Sequence, residues 1–259
     1  MSPQITTELV KELRDKTGIS VMQCRKALEE AEGDIDKALL ILKKNSASIA
    51  EKKADREAKD GRIDIKISSD RAVLVTLHCE TDFVSKNNDF INLLSALSDL
   101  ALSGGVDKMK SNAKEMIDPV IQKTGEKIEL GASFEAKGNT LGSYVHNGKI
   151  GVLVSLDGGN ADLARDVAMH IAAMKPEYLS SADITEDTRK VISEVFEKEI
   201  AGVNKTEDVK KKMLAGKINT YFKEKTLTEQ PFIKNPEETI SALLSKNNAK
   251  IREVKQNSI

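Results

Sequence analysis

Apolar positions along the chain change period several times, and each change marks an element. Leu9, Val10 and Leu13 share one face of a first helix that ends at Lys16-Thr17-Gly18, with Gly18 as its C-cap. Ser20-Val21-Met22-Gln23 has the spacing of a capping box, and Ala27, Leu28 and Ala31 carry a second helix to Gly33. Asp34 caps a third helix, with Ile35, Ala38, Leu39, Ile41 and Leu42 inward. Residues 46–60 are rich in Ala, Lys, Glu and Asp without large apolar side chains, which predicts a linker, helical in part.

The period then shortens to two. Gly61-Arg62-Ile63-Asp64-Ile65-Lys66-Ile67 alternates and predicts a strand with one wet face. Ser68-Ser69-Asp70 turns the chain, and Arg71 to Cys79 returns as a more buried strand. Phe90, Ile91, Leu93, Leu94, Leu97 and Leu100 restore helical spacing from about Asp89, and Gly104-Gly105 ends that helix. A shorter helix over 114–123 is predicted to break or kink at Pro119. Lys127 to Phe134 reads as a strand. Asn147-Gly148 is a two-residue hairpin signal between strands at Gly142–His146 and Lys149–Leu156, and a helix follows over 161–174. Two helices over 186–225, broken near Gly202-Val203-Asn204, predict an antiparallel hairpin. Val191, Ile192, Val195, Phe196 and Ile200 on one would face Val209, Met213, Leu214, Ile218 and Phe222 on the other. Lys210-Lys211-Lys212 is its solvated face. Residues 227–233 read as extended, and Pro236 as the start of a last helix through Ile240, Leu243 and Leu244.

One pattern occurs twice. Val73-Leu74-Val75-Thr76-Leu77 returns 79 residues later as Val152-Leu153-Val154-Ser155-Leu156, each time after a hairpin and before a helix. Two related halves in an α+β fold follow from this. The copies differ just after the strand. The second has Asp157-Gly158-Gly159-Asn160, an ordinary turn, whereas the first has Thr81-Asp82-Phe83-Val84. The shared architecture therefore does not need Phe83, which favours a functional role. Its plainer alternative is a staple-like packing contact that closes the strand-to-helix connection.

Composition narrows the function. Of 259 residues, 39% are hydrophobic, 3% aromatic and 31% charged, which suits small cores under broad solvated helix faces. The net charge of −1 carries no basic surplus, which argues against direct nucleic-acid binding. No apolar run reaches membrane-spanning length. Met1-Ser2-Pro3-Gln4 has neither a basic nor an apolar signal region, so a cytoplasmic protein is expected. Cys24 and Cys79 are isolated and read as small buried hydrophobes in a reducing compartment. The chain lacks a P-loop, GxSxG, HExxH and a dinucleotide fingerprint. Glu80 and Asp82 would share a face on a strand, but no nucleophile or metal cluster accompanies them. The expectation is a non-enzyme with no catalytic residue, cofactor or metal. By residue type and position alone, Val21 and Met22 belong to the core of the small N-terminal domain, His146 to the surface, and Ile233 beside Phe232 to the interior.

An ordered set of segments resembles the elongation factor Ts family, guanine nucleotide exchange factors for elongation factor Tu. It begins with Leu9-Val10-Lys11-Glu12-Leu13-Arg14, Thr17-Gly18, Val21-Met22-Gln23-Cys24-Arg25-Lys26-Ala27-Leu28 and Gly33-Asp34. It continues with Cys79-Glu80-Thr81-Asp82-Phe83-Val84 and Leu141-Gly142-Ser143-Tyr144. It ends with Ala172-Ala173-Met174-Lys175-Pro176-Glu177-Tyr178-Leu179 and Gln230-Pro231-Phe232. The resemblance implies a ubiquitin-associated-like three-helix domain at 1–45, a linker at 46–60, and a core of two similar antiparallel-sheet-plus-helix subdomains. The first subdomain spans 61–140 and the first part of the second 141–183, followed by a protruding coiled coil at 184–227 and a C-terminal segment and module at 228–259.

What the resemblance implies about function is equally specific. The partner is elongation factor Tu, GDP-bound and nucleotide-free, with no direct nucleic-acid or membrane contact and with room for a homodimer of the complex. Thr81, Asp82, Phe83 and Val84 would disturb the partner's magnesium and phosphate site, so that GDP leaves and GTP can bind. Lys11, Arg14, Val21, Met22 and Arg25 would form the N-terminal docking surface, His146 the core contact, and Phe232, Ile233 and Lys234 the C-terminal contact. Lys234 departs from the apolar pair frequent in the family there, and the short C-terminus predicts a final strand shortened or lost. The competing reading is a non-exchange adaptor or chaperone-like module that uses the three-helix domain. The two differ in whether binding changes the partner's nucleotide off-rate.

Overall fold

The computed structural model describes residues 5–259, which divide into two compact units. Residues 1–4, on which the expectation of no secretory signal rests, lie outside that range. No described helix is long and apolar enough to cross a membrane.

The first unit comprises, among the described residues, 5–136, 145–151 and 255–259. It opens with α1 (Thr7–Thr17), α2 (Val21–Glu30) and α3 (Ile35–Lys52). Thr6, Ser20 and Asp34 accept from the N–H groups of Leu9, Gln23 and Lys37, so each helix has a side-chain N-cap. Val10, Leu13, Ile19, Cys24, Ala27, Leu28, Ala38 and Leu42 form the core. The capping box at Ser20 is only half made: Gln23 Oε1 is buried without a partner instead of reaching back. Val21 and Met22 are not core residues, being 47% and 76% exposed. The buried face of α2 follows Cys24, Ala27 and Leu28; Met22 points to the opposite side, and Val21 opens the first turn at the flank of that face. Helix α3 runs on to Lys52, and Ile49 and Ala50 pack against the next core.

That core belongs to a three-stranded sheet in the order β1 (Asp60–Ser68), β2 (Arg71–Cys79), β3 (Ile128–Lys137). β1 and β2 are antiparallel, with Ile65 opposite Leu74 and Asp60 opposite Cys79. After β2 come a single turn of helix, α4 (Asp82–Ser85), then α5 (Asn88–Gly104) and α6 (Val106–Thr124). Val73, Val75 and Leu77 meet Phe90, Leu94, Leu97, Met109, Ile117 and Ile121. Pro119 does not break its helix; α6 is continuous over 19 residues. Ile117, Val120 and Ile121 bury both adjoining turns, and that packing offsets the N–H that proline lacks.

The second unit comprises 137–144 and 152–254. In chain order it holds β4 (Thr140–His146), β5 (Ile150–Asp157), α7 (Ala161–Met174), α8 (Glu186–Ala201) and α9 (Glu207–Lys225). There follow β6 (Pro231–Phe232), β7 (Asn235–Thr239), α10 (Ile240–Lys246) and β8 (Lys250–Ser258). The ends of β4, β5 and β8 belong to the first unit. β5 lies between β4 and β8, as β2 lies between β1 and β3, so the repeated pentapeptide is a buried central strand both times. In the second copy Gly158 and Gly159 take positive φ, and Asn160 caps α7 through the Leu163 N–H.

Three expectations change here. The last strand is neither shortened nor lost, since β8 has nine residues. Pro236 lies in β7 and does not start a helix; the short two-stranded ribbon leaves its missing N–H at an edge, and Thr239 caps α10 instead. Helices α8 and α9 do pair, with Phe196 edge-on to Tyr221 at 5.7 Å and Glu199 bridged to Lys217 at 2.6 Å. Val191, Val195 and Val209 nevertheless stay exposed. Two helices alone bury only a narrow seam, and Val191 and Val195 lie one position off the Ile192-Phe196 line.

Candidate functional site

The first site residue is fixed by its helix cap. Thr81 accepts from the Val84 N–H at 3.5 Å, and its carbonyl accepts from the Ser85 N–H at 3.2 Å. Ser85 Oγ donates to the Asp82 carbonyl at 3.0 Å. One helical turn therefore buries Val84 and Ser85 and turns Asp82 and Phe83 outward. Phe83 is 83% exposed, so it is not a staple. Val84 takes the packing role instead. Asp82 pairs with Lys86 at 2.7 Å across one turn.

Beneath this turn lie two carboxylates. Glu126 accepts from the Thr81 N–H at 3.0 Å and from its hydroxyl at 2.6 Å. Glu80 accepts from the Lys127 N–H at 2.6 Å and from Arg56 at 3.2 and 3.3 Å. The Lys127 N–H, with Arg56 beside it, holds the Glu80 carboxyl below its usual range. Cys79 donates its thiol proton to the Thr81 carbonyl at 3.2 Å, and burial pushes that thiol up to about 12, so the proton stays in place. Glu80 and Asp82 are thus bound to different partners and form no acid–base pair. The sequence assigned no role to Glu126 or Arg56, and to Lys127 only the start of a strand. Glu126 lies 45 residues from Thr81, and its only local signal is Gly125, the left-handed cap that ends α6 just before it.

His146 stands at the end of β4, exposed, beside a turn in which Asn147 and Gly148 both have positive φ (52° and 72°). Three bonds pin this turn to β1. Lys149 Nζ donates to Asp60 Oδ1 at 2.7 Å and to the Gly61 carbonyl at 2.8 Å, and the Ile63 N–H donates to the Gly148 carbonyl at 2.8 Å. Asp60 is opposite Cys79 and beside the Ser85 hydroxyl, so it adjoins both the base of α4 and the hairpin that carries His146. Burial works to raise the Asp60 carboxyl, but Lys149, Ser85 and the Gly61 N–H together hold it low.

On the three-helix domain, Lys11 and Arg14 are exposed on one face of α1. Val21, Met22 and Arg25 are exposed on the first two turns of α2, and Arg25 bridges Glu29 at 2.9 Å. Phe232, Ile233 and Lys234 belong to the second unit, where all three meet α7. The Phe232 ring is buried with its centroid 6.1 Å from that of His170. The Ile233 N–H donates to His170 Nδ1 at 3.3 Å, and Lys234 bridges Asp166 at 2.6 Å. His170 Nε2 lies 2.9 Å from Gln230 Oε1, so the imidazole is neutral with its proton on Nε2. Burial, partly opposed by Gln230, keeps its pKa low.

The chemistry gathered at these surfaces is recognition chemistry: an exposed aromatic on a braced turn, with apolar and basic residues elsewhere. Comparison with known proteins gives this α+β fold its lineage. A family model described as Elongation factor TS matches residues 80–258. The chain is 37% identical to elongation factor Ts of Thioalkalivibrio sulfidiphilus, over 96% of this chain and 89% of the relative. It is 38% identical to that of Hahella chejuensis, over 95% and 89%, and 38% identical to that of Arthrospira platensis, over 89% and 99%. The chain belongs to the elongation factor Ts family, among the elongation factors of protein biosynthesis.

Proposed function

We propose that this chain binds elongation factor Tu·GDP and speeds GDP release by pressing Asp82 and Phe83 against the partner's magnesium and phosphate site. The observation that carries this reading is an aromatic ring 83% exposed on a helical turn whose first residue, Thr81, is hydrogen-bonded to Glu126 and to Cys79. Exposing a whole phenyl ring to water is unfavourable by about 1.5–3 kcal/mol relative to burying it, so a partner that covers it gains that much. Magnesium offsets the charge of the diphosphate; displacing its shell weakens retention of GDP. Each ~1.4 kcal/mol removed from the release barrier gives about tenfold in rate. No acid, base or nucleophile on this chain is required.

In this reading Lys11, Arg14, Val21, Met22 and Arg25 dock on one part of the partner, the His146 hairpin on another, and Ile233 and Lys234 on a third, with Phe232 as the buried anchor of that last contact. GTP fills the emptied site and the chain departs. The test is stopped-flow release of a fluorescent GDP from elongation factor Tu. The wild-type chain should accelerate release strongly, and Phe83→Ala should lose at least about tenfold of that acceleration while still binding. Equal acceleration by Phe83→Ala would remove the ring from the mechanism. A stable complex with an unchanged off-rate would instead favour an adaptor that docks through exposed Val21 and Met22.

A further inference from the structure

We propose that Glu126 is a positioning residue for Phe83, acting through Thr81. The inference rests on the exchange reading above and names the part that makes the ring effective. Helix α4 has four residues, too few to hold itself together in water. Its outward residues, Asp82 and Phe83, have no buried contact to fix them. Val84 and Ser85 hold its inner side in the core, and its N-terminal end is fixed by Thr81, whose N–H and hydroxyl both end on the Glu126 carboxylate, at 3.0 and 2.6 Å. A carboxylate that accepts two bonds from one residue fixes direction as well as distance. The opposite strand end is held reciprocally: Glu80, next to Thr81, takes the N–H of Lys127, next to Glu126. Lys127 Nζ in turn donates to the Arg56 carbonyl at 2.8 Å, and Arg56 donates to Glu80, so the segment after α3 is tied into the same base.

A positioning role has a distinct kinetic signature. The docking surfaces set how much chain is needed for half-maximal effect. Among docked complexes, the fraction with the ring in place sets the maximal release rate. Loosening Thr81 lowers that fraction and leaves docking alone.

The experiment measures GDP release from elongation factor Tu against concentration for wild type, Glu126→Ala, Phe83→Ala and the double variant, each confirmed folded by circular dichroism. Glu126→Ala should lower the maximal rate about tenfold and shift the half-saturating concentration by less than about threefold. On top of Phe83→Ala it should add clearly less than it does alone, because most of its effect passes through that ring and only the share carried by Asp82 remains. Glu126→Gln, which keeps the shape and one acceptor, should fall between wild type and Glu126→Ala, and it serves as the probe if the alanine variant does not fold. A maximal rate equal to wild type, or losses that multiply in the double variant, would overturn the proposal. A second arm needs no partner: amide hydrogen exchange at Val84 and Ser85 in the free chain should quicken about tenfold in Glu126→Ala. Unchanged exchange there overturns the clamp. If the wild-type chain fails to accelerate GDP release, the exchange reading falls, while this second arm still decides the clamp.

Discussion

At Phe83 and His170 the same chemistry, backbone groups held by side chains, has opposite results. The cap and clamp at Thr81 push a large apolar ring into water, whereas the bonds at His170 pull a titratable ring out of it. The second arrangement has a pH consequence. His170 Nδ1 can accept from the Ile233 N–H only while unprotonated. Burial holds its pKa below the ordinary 6.5. Between the folded value and 6.5 the unfolded chain binds more protons than the folded one, so stability rises with pH across that window. The contribution is whole above 6.5 and is lost as pH falls through the folded pKa. The urea midpoint should therefore drop between pH 7.5 and pH 5.5, and His170→Gln should flatten that slope; an identical slope in the variant would assign the effect to other groups. Little of this was legible beforehand. Phe83 stood out because the repeat has glycines in its place, but Glu126 and His170 act on residues 45 and 63 positions away, and no local pattern announces such pairs. Met22 misled for another reason: an apolar residue in a first helical turn reads as core, and only the phase of Cys24, Ala27 and Leu28 shows that it faces away.

Elements were easier to read than site partners, because they announce themselves within a few residues. Gly18, Ser20 and Asp34 mark helix ends by cap chemistry, Asn147-Gly148 by positive φ, and the two copies of the buried pentapeptide by near-identity. The misses share one cause, tertiary packing that outweighs a local signal. Pro119 would end an isolated helix, but its neighbours are buried on both sides. The final strand has a polar, unpromising sequence, Lys250 to Ser258, yet it pairs with β5 and Asn257 donates to Thr76 Oγ1 at 2.8 Å. Pairing, not hydrophobicity, holds it. The helical hairpin shows the converse, since it has strong apolar periodicity and little burial. Of its two helices only Ile200 and Phe222 are buried. Local opening free energies follow burial of apolar contacts. Amides of α8 and α9 should consequently exchange with deuterium well before those of β2 and β5, as read by mass spectrometry of peptides from the native chain. Protection in the hairpin equal to that of the central strands would show that it is held by something other than its own seam.

For the whole molecule, the proposed contacts draw on both units: α1, α2, α4 and the His146 hairpin from the first, and Ile233 and Lys234 from the second. Many contacts serve affinity, but only the α4 residues are proposed to act on the nucleotide. That division makes a thermodynamic demand. If the chain weakens GDP binding to elongation factor Tu by some factor, GDP must weaken binding of the chain by the same factor, because the four states close a cycle. Couplings of this kind typically amount to about 1–3 kcal/mol, roughly 5–150-fold in affinity. Titration calorimetry of the chain into nucleotide-free and GDP-saturated partner should give two dissociation constants separated by a factor in that range or above. Phe83→Ala should bring the two constants together chiefly by weakening binding to the nucleotide-free form, where the covered ring contributes most. Met22→Ala should weaken both constants alike, because the docking surface meets the partner whether or not GDP is present. Equal constants for the wild-type chain would mean that binding and nucleotide are uncoupled, and the chain would then be an adaptor whose exposed aromatic serves adhesion alone.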